Sequence, residues 1–180
     1  MKTTVINLYG GPGAGKSTAA AYLFFLLKIT GANAELVREY VKEWIWDERK
    51  FGQYEQIYFL GKQIRRESLL YGKVDYIVTD APVMMNLLYA EKYCGEFISD
   101  GVRSATLNYY NQAKHDEYNH IHVLLKRSKP YQAEGRYQSE SEAIEIDDEV
   151  KAMLNKYSIP FIESTSDESD LMLILGKIKP

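Results

Sequence analysis

The stretch Gly10-Gly11-Pro12-Gly13-Ala14-Gly15-Lys16-Ser17-Thr18 decides how this chain is read. It matches the spacing G-x-x-x-x-G-K-[ST] in full. The six residues before it, Thr4-Val5-Ile6-Asn7-Leu8-Tyr9, read as a β-strand, and residues 16–27 read as a helix. In that setting the glycines let the backbone curl until several N–H groups face one anion. The helix N-terminus adds its dipole. Gly11, Pro12, Gly13, Ala14, Gly15, Lys16, Ser17 and Thr18 are therefore the expected cradle for a nucleoside triphosphate. Lys16 is expected to reach the β- and γ-phosphates, and the Ser17 hydroxyl to ligate Mg²⁺. The competing reading, a glycine-rich turn with a chance lysine, has no use for the flanking strand and helix.

Outward from this loop the chain alternates short β-rich runs with helical stretches, the signature of an α/β sheet. Further strands are expected at 34–37, 75–79, 120–125 and 159–162, and helices at about 40–48, 52–71, 100–117 and 141–157. Pro82 opens another helix, and Ser166 or Asp167 caps the last. Five strands joined by helical crossovers imply a parallel sheet covered on both faces.

The 180 residues amount to one domain, 1–180, with 46% hydrophobic and 26% charged residues. That composition excludes a disordered chain, a collagen and a simple coiled coil. Cys94 is the only cysteine, so no internal disulfide forms, and no motif spacing gives it chemistry. No leader and no apolar run of spanning length is visible, so a cytoplasmic protein without a membrane partner is expected. The net charge is −3, yet residues 134–149 carry seven acids against Arg136 alone, so the rest of the chain is net positive by 3. A polyanionic substrate is therefore allowed.

Four further features bear on chemistry. Glu39 stands at the exit of the second strand, where ligands of open parallel sheets sit. It suits a general base taking a proton from an attacking hydroxyl; the alternative is a solvated glutamate favoured by a helix dipole. Asp80 closes the apolar run Tyr76-Ile77-Val78-Thr79 in the manner of a Walker B acid holding Mg²⁺; the alternative is a helix cap ahead of Pro82. Residues 126–136 gather Lys126, Arg127, Lys129 and Arg136 with Pro130 and Gly135. They read as a lid at about 127–140 whose Arg127 and Arg136 contact the transferring phosphoryl group, or as an ordinary solvated loop. Gln56, Phe59, Gln63 and Arg66 share one helix face, suited to a planar base by hydrogen bonds and stacking. The alternative there is plain amphipathicity, with Tyr54, Ile57, Tyr58 and Ile64 as the core stripe and the glutamines in water. His120 and His122 alternate on a strand, but no further ligands accompany them for zinc.

On these residues the chain resembles the P-loop kinases, in particular the bacterial nicotinamide-riboside kinase domain. The resemblance rests on Gly10–Thr18, on Arg38-Glu39-Tyr40-Val41-Lys42-Glu43, on Gly61-Lys62-Gln63 and on the strand ending in Asp80. The outline is also similar to deoxynucleoside kinases, and to bacteriophage-encoded kinases including those acting on 5-hydroxymethyluracil in DNA. The resemblance implies a five-stranded sheet in the order 2-3-1-4-5. It implies transfer of the γ-phosphoryl of MgATP to a hydroxyl of a nucleoside, nucleotide or nucleoside-like acceptor. Glu39 would be the base, and Arg127 and Arg136 the lid arginines. The nicotinamide-riboside relatives show Asp-Thr-Asp where this chain has Thr79-Asp80-Ala81, and the deoxynucleoside kinase Glu-Arg-Ser step is absent. The acceptor stays open. A kinase of modified DNA in a host cytoplasm and a nucleotide-gated regulatory ATPase remain alternatives. Trp44 and Trp46 are candidates for a homodimer contact.

Overall fold

The computed structural model describes residues 2–133 and 138–178. Five strands, β1 (Thr4–Tyr9), β2 (Ala34–Val37), β3 (Tyr76–Thr79), β4 (Asn119–Leu125) and β5 (Ile162–Ser164), form one sheet in the order β2-β3-β1-β4-β5. Every pairing is parallel. The helices are α1 (Lys16–Ile29), α2 (Val41–Trp46), α3 (Glu55–Ser68), α4 (Val83–Tyr93), α5 (Glu96–His115), α6 (Glu140–Lys156) and α7 (Glu168–Ile178).

The central strand β1 is buried on both faces because both are covered, as parallel sheets require. On one face Ile6 and Leu8 pack with Leu23, Leu27, Leu171 and Ile174 of α1 and α7. On the other, Tyr9 and Leu124 pack with Met84, Leu87, Ile146 and Leu154 of α4 and α6. Under α3 and α5 this second face turns polar. The Tyr71 and Tyr109 hydroxyls donate to the fully buried Glu67 carboxylate at 2.7 and 3.0 Å. Tyr71 also meets His120 Nε2 at 3.2 Å, and the Tyr9 hydroxyl meets His122 Nδ1 at 3.0 Å. The two histidines thus serve a buried polar network. Burial holds both below the usual imidazole range, His120 at about 3 and His122 at about 4.

Several boundaries depart from the sequence reading; the helix expected at about 52–71 is Glu55–Ser68, and two further departures have a local cause. The fifth strand is 162–164, not 159–162. Ser158 takes a left-handed φ of 52° and the Ile159 N–H closes the end of α6 on the Leu154 carbonyl at 2.9 Å. Pro160, which has no N–H to give a ladder, follows before pairing begins. The helix expected from residue 100 starts at Glu96, just after Gly95, whose extended backbone (ψ 161°) suits an N-cap. No helix among the described residues is long and apolar enough to cross a membrane.

Candidate active site

β1 hands the chain to the glycine loop at the carboxyl edge of the sheet, and α1 begins at Lys16. Gly15 caps that helix at φ 90°, where a side chain would be strained and a Cβ would also sit 2.5 Å from Ser166 Oγ. Gly11 is small for another reason. A Cβ there would lie 2.4 Å from the Ala143 carbonyl and 2.7 Å from Asp147 Oδ1 of α6. The loop is therefore clasped between α1 and α6. The first-turn N–H groups of α1 lack intrahelical partners, as at any helix start.

The Lys16 ammonium folds back onto the Gly10 and Gly11 carbonyls at 2.7 and 3.0 Å. Burial pulls its pKa down, and the carboxylates of Glu39, Asp80 and Asp147 partly restore it. The Ser17 hydroxyl donates to Asp80 Oδ2 at 2.6 Å, and the Glu39 N–H donates to Asp80 Oδ1 at 2.9 Å. Asp80 thus links the phosphate loop to the exit of β2. It makes no cap: Pro82 holds the N-cap of α4, with no side-chain bond there. Burial raises the Glu39 carboxyl above the usual range, Lys16 opposes the shift, and Asp80 adds to it.

One pocket of about 510 Å³ runs from the loop to α3. Pro12, Gly13, Gly15, Lys16, Ser17 and Thr18 line its phosphate end. Glu39 lines it beside Asp80, and Gln56, Phe59 and Gln63 of α3 line it with Phe51 and with Tyr40, whose N–H meets Gln63. The amphipathic alternative for α3 is overturned except at Ile64, which packs with Leu60, Val83 and Val102. Gln56, Phe59 and Gln63 are buried, whereas Tyr54, Ile57 and Tyr58 are 71%, 52% and 43% exposed. Gln63 Oε1 accepts the Tyr40 N–H at 3.3 Å, while its Nε2 is buried without a partner. Arg66 leaves this group, donating to Glu43 at 2.6 Å and to the Arg38 carbonyl at 3.2 Å. Trp44 is spent inside the chain, edge-on to Phe59 with centroids 5.1 Å apart, while Trp46 is exposed.

Arg127 is not a swinging lid residue. It is pinned under the loop, donating to Asp147 at 3.0 Å and to the Pro12 carbonyl at 2.9 Å. Its Nη1 is buried without a partner, 3.0 Å from where a Gly13 Cβ would stand. That orphaned donor beside a left-handed glycine (φ 81°) suits an anion in the cradle. Lys129, Pro130, Gln132 and Gln138 also line the pocket, so the described part of the expected lid covers its phosphate end. Arg136 lies outside the described residues.

The donors fit a magnesium–nucleotide, not a free metal. Among the described residues no group of three or more His, Cys, Asp or Glu is placed to hold an ion. Ser17 and Asp80 offer two oxygens, and Mg²⁺ takes the rest of its shell from phosphates and water. The role of Asp147 was missed in the sequence, where it sits inside an acidic run. Its spacing of four from the small Ala143, on one helix face, was the available signal.

A family model described as AAA domain matches residues 5–169, and the chain belongs to that family of P-loop domains. No curated protein sequence matches the chain. Among solved structures it is similar to the NadR protein in complex with NR, with 16% identity and a TM-score of 0.68 over 93% of this chain. The chain spans 45% of the length of that protein. It is also similar to deoxyadenosine kinase from M. mycoides with bound dATP, with 16% identity and a TM-score of 0.58 over 97% of this chain and 98% of that one. The fold is thus that of the P-loop domains, shared with the NadR protein and deoxyadenosine kinase, and the resemblance drawn from the sequence to the nicotinamide-riboside kinase domain and deoxynucleoside kinases holds at the level of the fold.

Proposed function

We propose that the chain is a P-loop kinase that moves the γ-phosphoryl of ATP to a hydroxyl of a nucleoside-like or nucleotide acceptor. One observation carries the reading. Lys16 and Ser17 share one pocket with Gln56, Phe59 and Gln63, and Glu39 joins them: its N–H and the Ser17 hydroxyl meet on Asp80, and the next N–H, that of Tyr40, meets Gln63. ATP would lay its phosphates in the loop, and bound Mg²⁺ would neutralise the charge on the β- and γ-oxygens. The acceptor hydroxyl oxygen forms a bond to the γ-phosphorus as the bridging P–O bond to ADP breaks, and its proton passes to Glu39. Lys16 turns from its loop carbonyls to the phosphate oxygens, and Arg127 Nη1 supplies a further donor. The lid segment, Arg136 included, excludes water as a competing acceptor.

Neutral amides and aromatic rings at the acceptor end favour a planar, uncharged ring over an acidic or aliphatic group. The two similar kinds of solved protein, bound to NR and to dATP, support a nucleoside-type acceptor for this chain.

The test is ADP formation with Mg²⁺ and a panel of nucleosides, nucleoside monophosphates, nicotinamide riboside, and DNA with and without 5-hydroxymethyluracil. Acceptor-dependent ADP that disappears in Lys16→Ala supports the kinase. Tight ATP binding with no acceptor-dependent ADP would return the chain to the regulatory ATPases.

A further inference from the structure

We infer that the shallow groove on the outer side of Glu39 seats a phosphate carried by the acceptor, so that the acceptor is a nucleotide and not a bare nucleoside. The inference deepens the kinase reading above and rests on it.

The groove encloses about 290 Å³ and is lined by Arg38, Glu39, Lys42, Glu43, Trp46 and Arg66. Glu39 and Lys42 also line the main pocket, so the two spaces meet at the proposed base. An acceptor whose hydroxyl lies against Glu39 has its neighbouring substituents at the mouth of this groove.

The charges there are unbalanced. Glu43 is engaged by Arg66 at 2.6 Å. Glu39 faces Lys16 on the pocket side, with Lys42 as a weaker influence. Among the described residues the Arg38 guanidinium and the Lys42 ammonium have neither a hydrogen bond nor an ion pair. Both cations line the same groove, and an anion seated there would give each the partner it lacks. Arg66 is the rigid third. Its guanidinium is held by the Arg38 carbonyl at 3.2 Å and lies 4.8 Å from the centre of the Tyr40 ring. An anchored arginine fork beside free cations suits phosphate oxygens.

Charge is also segregated. The acceptor end of the main pocket offers neutral Gln56, Gln63 and aromatic rings, and the cations gather outside it. A nucleotide has the same division, with a neutral ring at one end and an anion at the other. Trp46, 67% exposed at the rim, is a stacking surface for a neighbouring base.

The chain has two tryptophans, so Trp44→Phe leaves Trp46 as a reporter in the groove. In that background, without ATP, the four deoxynucleosides, their 5′- and 3′-monophosphates and a short single-stranded oligonucleotide are titrated by fluorescence and checked by calorimetry. At least one monophosphate is expected to bind about tenfold more tightly than its nucleoside, the gain of one good charge-assisted contact. Arg38→Gln should erase most of that preference and move nucleoside affinity less than about twofold, with Arg38→Lys restoring part of it. Equal affinity for nucleoside and monophosphate would overturn the proposal. So would a preference that disappears in Lys16→Ala but survives Arg38→Gln, since the phosphate would then lie in the glycine loop. A free nucleotide gives a shallow salt dependence; a tighter oligonucleotide with a steep one identifies a strand as the source of the phosphate. If no acceptor yields ADP, phosphoryl transfer fails while these titrations still decide the groove.

Discussion

The Ser17 hydroxyl donates to Asp80 Oδ2 at 2.6 Å, and the other oxygen of the same carboxylate holds the Glu39 N–H. Asp80 therefore holds the candidate metal ligand Ser17 and the candidate base Glu39 in one arrangement. Asp80→Asn should raise the Mg²⁺ needed for half-maximal transfer by about 10–100-fold, the usual cost of disturbing an orienting partner. Mg²⁺ titration of ADP formation checks it; an unmoved Mg²⁺ requirement with abolished transfer would exchange the roles of Asp80 and Glu39.

Lys16→Ala should lower phosphoryl transfer by about 10²-fold or more, because the donor acts where charge develops. Its partners are the Gly10 and Gly11 carbonyls of its own loop, so the substitution breaks no contact between elements of the fold and the fold should survive. Single-turnover rates and thermal melting, measured together, separate the two effects.

Glu39 carries a raised pKa, mainly through burial. Its basic form fills as pH rises through that raised value, so transfer should increase with pH over the same range. Glu39→Gln should lower the rate by about 10²-fold and remove this acidic limb from the pH profile while ATP still binds. An unchanged limb would mean that another group titrates.

Asp147 ties Arg127 to the loop, and both side chains are largely buried. Asp147→Ala leaves a buried guanidinium and the Gly11 N–H short of partners, at about 1–3 kcal/mol of stability. Arg127→Ala alone should cost a similar amount, and the double variant less than the sum. A denaturant-based double-mutant cycle reads the coupling; strict additivity would mean the pair is incidental.

Glu67 is fully buried, and its pKa is raised by desolvation despite the Tyr71 and Tyr109 hydroxyls. A carboxyl bound more tightly to its proton in the folded state destabilises that state as pH rises through the unfolded value of about 4.3 and beyond. Glu67→Gln should therefore raise Tm at neutral pH, with the gain shrinking toward pH 4. His120 and His122 act oppositely, their depressed pKa values withdrawing stability as pH falls from about 6.5. Subtracting the melting curves of native and variant protein isolates Glu67.

Much of the fold was legible because its signals are local. The glycine loop between an apolar strand and a helix, Asp80 at a strand end and β-rich runs between helices each occupy a few consecutive residues. Amphipathic periodicity misled on α3. Tyr54, Ile57 and Tyr58 have core-forming side chains but face water, because the buried side of that helix is divided between a small core, with Leu60 and Ile64 against α4 and α5, and the pocket, with Gln56, Phe59 and Gln63. The fifth strand slipped three residues because Ser158 and Ile159 were claimed by the end of α6.

By itself the sequence determined the class of protein and the identity of its phosphate loop, since backbone curl and helix start are set by neighbours in the chain. Only the tertiary structure decided that Arg127 is pinned by Asp147, twenty positions away, and that Gly11 is small to admit α6. It alone joined Glu39 to Asp80, 41 positions apart, and set Arg38 and Arg66 in one groove. Such contacts depend on how crossover helices pack over a twisted sheet, and no local pattern carries that information.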